Sequence, residues 1–294
     1  MSRSSSWPLA ARLALSHGSL INVRPPQFVR AAAAAGFRQV SLRVAAGLEA
    51  LGKGEPGGPY RLLEDRALQR DTRQALDATG TRVVEAEYVL LTPELEAGAY
   101  RKLLEVGAEL GARQVVAVFF GYDDETRIAA DFARFCDLAS EYGLIAVIEF
   151  VAPTSVNSIE QCGRVIAACG KSNAGILVDS LHLFRTGGSV AKLAAMRPEL
   201  IVNCQLSDGL MSLGAAWQPD MPRNRLQLGD GDFPLRQLVA ALPPDVPVAI
   251  EVPSESFLSS PLSADDKARF LMERARKYFS DETFEGQGIG DARR

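Results

Sequence analysis

The sequence predicts a single closed (β/α)8 barrel of the α/β class. Eight short apolar runs alternate with eight helical patterns along the chain, and no Pro/Ser/Gly-rich linker divides them. Several of the apolar runs pass directly into a carboxylate or amide residue, as buried parallel strands do when they carry a site at their C-terminal ends. A doubly wound open sheet would favour a glycine-rich phosphate turn after the first strand, and His17-Gly18-Ser19-Leu20 has no GxGxxG pattern.

The strands are expected over Leu13–His17, Gln39–Val44, Arg82–Leu91, Gln114–Phe120, Ile145–Val151, Gly175–Asp179, Ile201–Ser207 and Val248–Val252. Each is short and rich in Val, Ile and Leu, the composition of a strand covered on both faces. The helices are expected over Pro26–Ala35, Leu62–Thr79, Pro93–Leu110, Asp124–Tyr142, Ile159–Cys169, Val190–Met196, Pro234–Leu242 and Ala264–Tyr278. Thr92-Pro93-Glu94 offers an N-cap, a proline and an acid for the third helix. Gly36, Gly80, Gly111, Gly143 and Gly170 follow helical patterns where C-caps belong. The barrel therefore spans 13–280, between an N-terminal extension (1–12) and a flexible tail (281–294) rich in Gly, Asp and Arg. Residues 207–233 form a long connection after the seventh strand, expected to be a functional loop.

The 294 residues carry a net charge of −4, 47% hydrophobic and 23% charged residues, with no run of like charge. This is the balance of a soluble globular protein and argues against a nucleic-acid surface. No signal peptide and no stretch long enough to cross a bilayer is read, so a cytoplasmic protein that binds no membrane is expected. Cys136, Cys162, Cys169 and Cys204 form no CxxC pair and read as reduced core cysteines. A homodimer is expected only as a common base rate.

Four strand ends carry the chemistry. Glu149, Asp179, Gln205 and Glu251 close the fifth to eighth strands, which are neighbours in a barrel, so their side chains can reach one point. Buried carboxylates are costly unless paired, protonated or bound to metal. Hard oxygen donors suit one divalent cation, Mn²⁺ or Mg²⁺, with Co²⁺ a further possibility. Buried carboxylates paired with arginine are the alternative.

The order of these residues resembles the sugar isomerase/epimerase superfamily with the xylose-isomerase-like TIM barrel. That family has a Glu, an Asp with a His three residues on, a His with an Asp three residues on, and a Glu at successive strand ends. Here Glu149, then Asp179 and His182, then Gln205 and Asp208, then Glu251 match it, and Arg225 followed by Gly229-Asp230-Gly231-Asp232 is similar to its R-x-x-x-G-x-G-D loop. The departure is Gln205, where most members carry histidine. Glutamine there resembles the 3-dehydroshikimate dehydratases.

The resemblance implies a metal that polarises a substrate carbonyl while Glu149 and Glu251 move a proton on opposite sides of the adjacent carbon. The expected activity is isomerisation or epimerisation of a sugar, polyol or cyclic hydroxy-ketone, a small polyhydroxy or keto-acid substrate. A dehydratase acting on a 3-dehydroshikimate-like or inosose-like substrate is the alternative, with His182 as base, and a non-catalytic barrel subunit is a second. An endonuclease IV-type phosphodiesterase needs a histidine-rich three-zinc site, and the chain has two histidines.

Further candidates line the expected mouth. His17 is a substrate contact or a satisfied strand-end histidine. Arg43, inside an apolar run, needs an anion: a substrate group, or a structural acid such as Glu85 or Glu87. Glu87 could bind a hydroxyl or pair with a cation. Arg225 is expected to bind an anionic or polyhydroxy substrate, and Asp208 to fix the long loop or a ligand. Phe119 and Phe120 read as core packing, with Tyr122 on an apolar wall.

Overall fold

The computed structural model of the chain describes residues 9–45, 59–94, 96–214 and 223–280. Eight strands, β1 (Leu13–Ser16), β2 (Gln39–Arg43), β3 (Arg82–Leu91), β4 (Gln114–Phe119), β5 (Ile145–Glu149), β6 (Ala174–Asp179), β7 (Ile201–Leu206) and β8 (Val248–Ile250), close in chain order into a barrel. All neighbours pair in parallel, and β8 returns to β1 through Ala14 opposite Ala249. β4 and β6 are buried along their whole length. That explains their unbroken apolar sequence, because side chains face the barrel interior on one side and the helices on the other. Inside the barrel Val116, Val147 and Leu177 pack together, as do Ala14, Val84 and Ala249. The larger core lies between strands and helices.

The outer helices run over Pro25–Ala35, Arg66–Thr79, Arg101–Glu109, Glu125–Ser140, Ile159–Cys169, Val190–Ala194, Leu235–Ala241 and Ala264–Phe279. Asp65, Asp124, Ser158, Ser189 and Ser263 cap five of them, each side chain accepting from a backbone N–H in the first turn. The five glycines expected as C-caps all take positive φ. The four cysteines are free and buried.

Several boundaries differ from the sequence reading. The second helix starts at Arg66 rather than Leu62, because the Asp65 carboxylate takes the Leu68 N–H and fixes the first turn there. The third starts at Arg101, after a 3-10 turn at Ala97–Tyr100, and Thr92 does not cap it. Gly98 disfavours helix in that stretch. Tyr100 is buried and donates its hydroxyl to the Leu90 carbonyl, which sets the entry point. Phe120 is 53% exposed, not core, because β4 ends at Phe119 and the next side chain points outward at the rim. Residues 1–8 of the N-terminal extension, the tail 281–294, and Trp217, Pro219 and Pro222 of the long loop lie outside the described residues. Among the described residues no helix is long and apolar enough to cross a membrane.

Candidate metal and substrate site

The C-terminal ends of β5 to β8 deliver the four expected side chains to one rim. Asp179 and Gln205 are direct register partners on β6 and β7, and Glu149 and Glu251 stand at the ends of the flanking strands. A cavity of about 210 Å³ opens there, lined by Arg43, Glu87, Glu149, Gln205, Arg225 and Glu251 among others. A larger cavity, about 570 Å³, lies at the opposite mouth and contains none of the predicted site residues.

Asp179 has two tasks. Its Oδ1 accepts the His182 N–H at 3.1 Å and so caps a short helix, Ser180–Arg185, that the sequence reading did not include. Its Oδ2 meets Arg225 Nη1 at 2.6 Å. One ligand atom each of Glu149, Asp179 and His182 lies within 4.8 Å of the others, a spacing that can hold a metal ion. His182 Nε2 stands 3.7 Å from Glu149 Oε1. Glu251 joins through Arg225, whose Nη1 is also 3.2 Å from Glu251 Oε2.

Gln205 is 2% exposed. Its Nε2 donates to Glu85 Oε1 at 3.0 Å and more weakly to Glu87 Oε1 at 3.4 Å. Its Oε1 is buried with no hydrogen-bond partner among the described residues. Burying an amide oxygen without a donor is unfavourable, so this atom is suited to a cation.

The acids are electrostatically strained against one another. Burial, then the charges of Asp179 and Glu251, raise the Glu149 pKa well above the ordinary value. Burial lifts Glu251 to about 7, against the pull of Arg225 and with help from Glu87 and Asp179. Burial and the charge of Glu87 lift Glu85 to about 8, against hydrogen bonds from Ser41 and Gln205. Burial would raise Asp179 too, but the charges of Arg225 and His182 and their hydrogen bonds hold it below the usual range. A divalent ion would relieve the repulsion that remains at Glu149.

The other expected contacts divide. Arg43 lines the cavity and takes Glu87, not Glu85, as its structural acid: Nε donates to Glu87 Oε2 at 2.8 Å and the guanidinium lies over the Tyr88 ring. Arg225 lines the cavity while held by Asp179 and Glu251. His17 is fully buried away from it, stacked on Phe28 at 4.2 Å, with Nε2 on the Val23 carbonyl. Burial drops its pKa to about 3. Tyr122 donates to Asp131 and does not line the cavity.

Asp208 fixes the long loop. Its carboxylate accepts from the backbone of Gly209, Gly229 and Phe233, and its backbone bridges Leu226. The G-x-G of the loop follows from this contact: a Cβ on Gly231 would collide with the Gly209 backbone and the Asp208 carboxylate.

Sequence reasoning missed Ser16, Ser41 and Asn203. Ser16 Oγ donates to Glu251 Oε1 at 2.9 Å, Ser41 Oγ to Glu85 Oε1 at 2.6 Å, and Asn203 Nδ2 to Glu85 Oε2. The signal was polar residues at inward positions of apolar strands, and two glutamates two apart on β3 share one face.

The family model for xylose isomerase-like TIM barrels matches residues 29–274. An inosose isomerase from Bacillus velezensis is 27% identical over 103 residues, 32% of this chain and 37% of its own length. The match thus spans little more than a third of that relative. Among solved structures, IolI protein with a bound zinc atom superposes with a TM-score of 0.75 at 17% identity, covering 92% of this chain and 98% of that one. D-allulose 3-epimerase from Methylomonas sp., in complex with D-allulose, gives 0.66 at 14% identity, covering 93% and 99%. At these identities the structural likeness is one of fold. With the family match extending over most of the barrel and the Glu–Asp–Gln–Glu order at its rim, this chain belongs to the xylose isomerase-like TIM barrel family.

Proposed function

We propose that this protein is a divalent-metal-dependent isomerase or epimerase acting next to a carbonyl of a small sugar, polyol or cyclic hydroxy-ketone. The observation that carries the reading is the placement, in one cavity, of two carboxyl side chains, Glu149 and Glu251, with the unpartnered Oε1 of Gln205. Names of similar proteins, an inosose isomerase and a sugar epimerase, support the substrate class. Glu149 and Asp179, which with His182 have a spacing that can hold an ion, would hold the cation together with Gln205 and Glu251 from the same cavity. When bound, the cation supplies Lewis-acid polarisation of the substrate carbonyl.

The remaining chemistry falls to the chain. One of Glu149 and Glu251 removes the proton from the carbon beside the carbonyl, and the other returns a proton to the opposite face or the neighbouring carbon. In the metal-free chain burial raises the proton affinity of both. Ser16 Oγ donates to Glu251 Oε1, and His182 Nε2 stands beside Glu149 Oε1. Arg43 and Glu87 offer a donor and an acceptor to substrate hydroxyls at the cavity wall.

Gln205 favours one second reading, a dehydratase, because its resemblance is to enzymes that eliminate water. Incubation with Mn²⁺ and candidate keto-sugars or cyclic ketones in deuterated water distinguishes the two. Isomerisation gives a product of unchanged formula carrying carbon-bound deuterium; dehydration gives a conjugated enone or an aromatic acid. A protein without measurable Mn²⁺, Mg²⁺ or Co²⁺ affinity overturns both readings and leaves a non-catalytic barrel.

A further inference from the structure

We infer that Glu85 is a positioning residue: it orients the Gln205 amide so that Oε1 is presented to the cation. The inference rests on the metal-dependent reading and extends it to a residue on β3, across the barrel from the ligand-bearing strands.

Glu85 is fully buried, and among the described residues its hydrogen-bond partners include no cation. Glu87, two residues on, has Arg43. Both Glu85 oxygens act as acceptors: Oε1 takes Ser41 Oγ at 2.6 Å and Gln205 Nε2 at 3.0 Å, and Oε2 takes Asn203 Nδ2. An acid placed at such expense inside a barrel core needs a purpose. Its contacts supply one. A glutamine amide has a donor end and an acceptor end that exchange by a half-turn about the last side-chain bond. Glu85 Oε1 and Glu87 Oε1 both accept from Gln205 Nε2, so the NH₂ end is drawn toward β3 and the carbonyl end is turned away from it. That end is the one left buried without a partner. Asn203 lies two residues before Gln205 on the same inward face of β7 and donates to the other Glu85 oxygen, which fixes the carboxylate plane. The arrangement does for an amide what a carboxylate does for a metal-ligating histidine, where loss of the partner weakens metal binding about 10- to 100-fold.

The experiment is Mn²⁺ titration of the metal-stripped full chain, with free Mn²⁺ read by electron paramagnetic resonance, for wild type, Glu85→Gln, Gln205→Ala and the double variant. Circular dichroism reports folding. The expected result is Mn²⁺ affinity about 10- to 100-fold weaker in Glu85→Gln, and less than about a threefold further change when Glu85→Gln is added to Gln205→Ala, because two residues acting through one interaction are not additive. Glu85→Asp keeps the carboxyl group but withdraws it from Gln205; it gives the same non-additive pattern with a smaller loss, and it replaces Glu85→Gln should the latter not fold. Wild-type affinity in the Glu85 variants, or an equal loss with and without Gln205, overturns the inference. Absence of Mn²⁺ binding by the wild type overturns the metal-dependent reading itself, a separate outcome.

Discussion

Arg225 donates through Nη1 to Asp179 Oδ2 at 2.6 Å, with the arginine side chain 6% exposed and the aspartate fully buried. The same nitrogen reaches Glu251 at 3.2 Å. One guanidinium thus offsets two of the acids gathered at the rim, and its presence raises the proton affinity of neither.

Removing that guanidinium leaves two buried carboxylates facing each other. Arg225→Ala is expected to destabilise the metal-free protein by about 3 kcal/mol. Mn²⁺ should then raise the melting temperature of the variant more than that of the wild type. Thermal melts with EDTA and with Mn²⁺ measure both; equal metal-induced shifts would count against a shared site.

The metal-free protein should lose stability as pH rises. Glu85 and Glu251 have folded pKa values of about 8 and 7, above the 4.5 of an unfolded glutamate, so the folded state binds more protons between those limits. Their stabilising share is complete below the unfolded value and is lost as pH rises through the folded values. His17 works in the opposite sense, but below its unfolded value of 6.5. Cys169, held down to about 7 first by its hydrogen bond from Cys136, opposes the trend in the same window. Urea unfolding at pH 6.5 and 8.5, compared with Glu85→Gln, isolates the glutamate: the variant should lack on the order of 2 kcal/mol of the decline.

Glu149→Gln and Glu251→Gln should each reduce solvent deuterium incorporation into product by about 10²- to 10⁴-fold, the range for loss of a positioned acid or base. An unaffected rate in either variant contradicts the two-carboxylate mechanism.

His17 should matter for folding and not for metal binding. It is enclosed by Phe28 and Tyr60 and held by the Val23 carbonyl. His17→Ala is expected to cost about 2 kcal/mol or more through the void it leaves, with Mn²⁺ affinity within about twofold of wild type. A large fall in affinity without loss of stability would return His17 to the site.

The barrel and the rim were legible because both are periodic. Apolar runs ending in Glu149, Asp179, Gln205 and Glu251 declare strand and direction together, and so the rim at which these side chains gather. Cross-barrel pairings were not legible. Nothing local tells Arg43 to choose Glu87 over Glu85, since both face inward and the register shift at Val40/Ser41 decides their height. Nor does spacing show that Arg225 folds back onto Asp179. Asp179 was read as a strand end, yet its cap on the Ser180–Arg185 helix follows from a general rule, an aspartate just before a helical turn. Phe120 was misread because hydrophobicity alone cannot tell the last inward residue from the first one over the rim.

The seat of Gly231 against Gly209 and Asp208 constrains how this barrel can be re-engineered. A transplanted segment carrying a new arginine would arrive without its anchor unless positions 208–209 came with it. The strand end and the distant glycine turn therefore act as one structural unit, and chimeras that cut between them should fail while those that move both should survive.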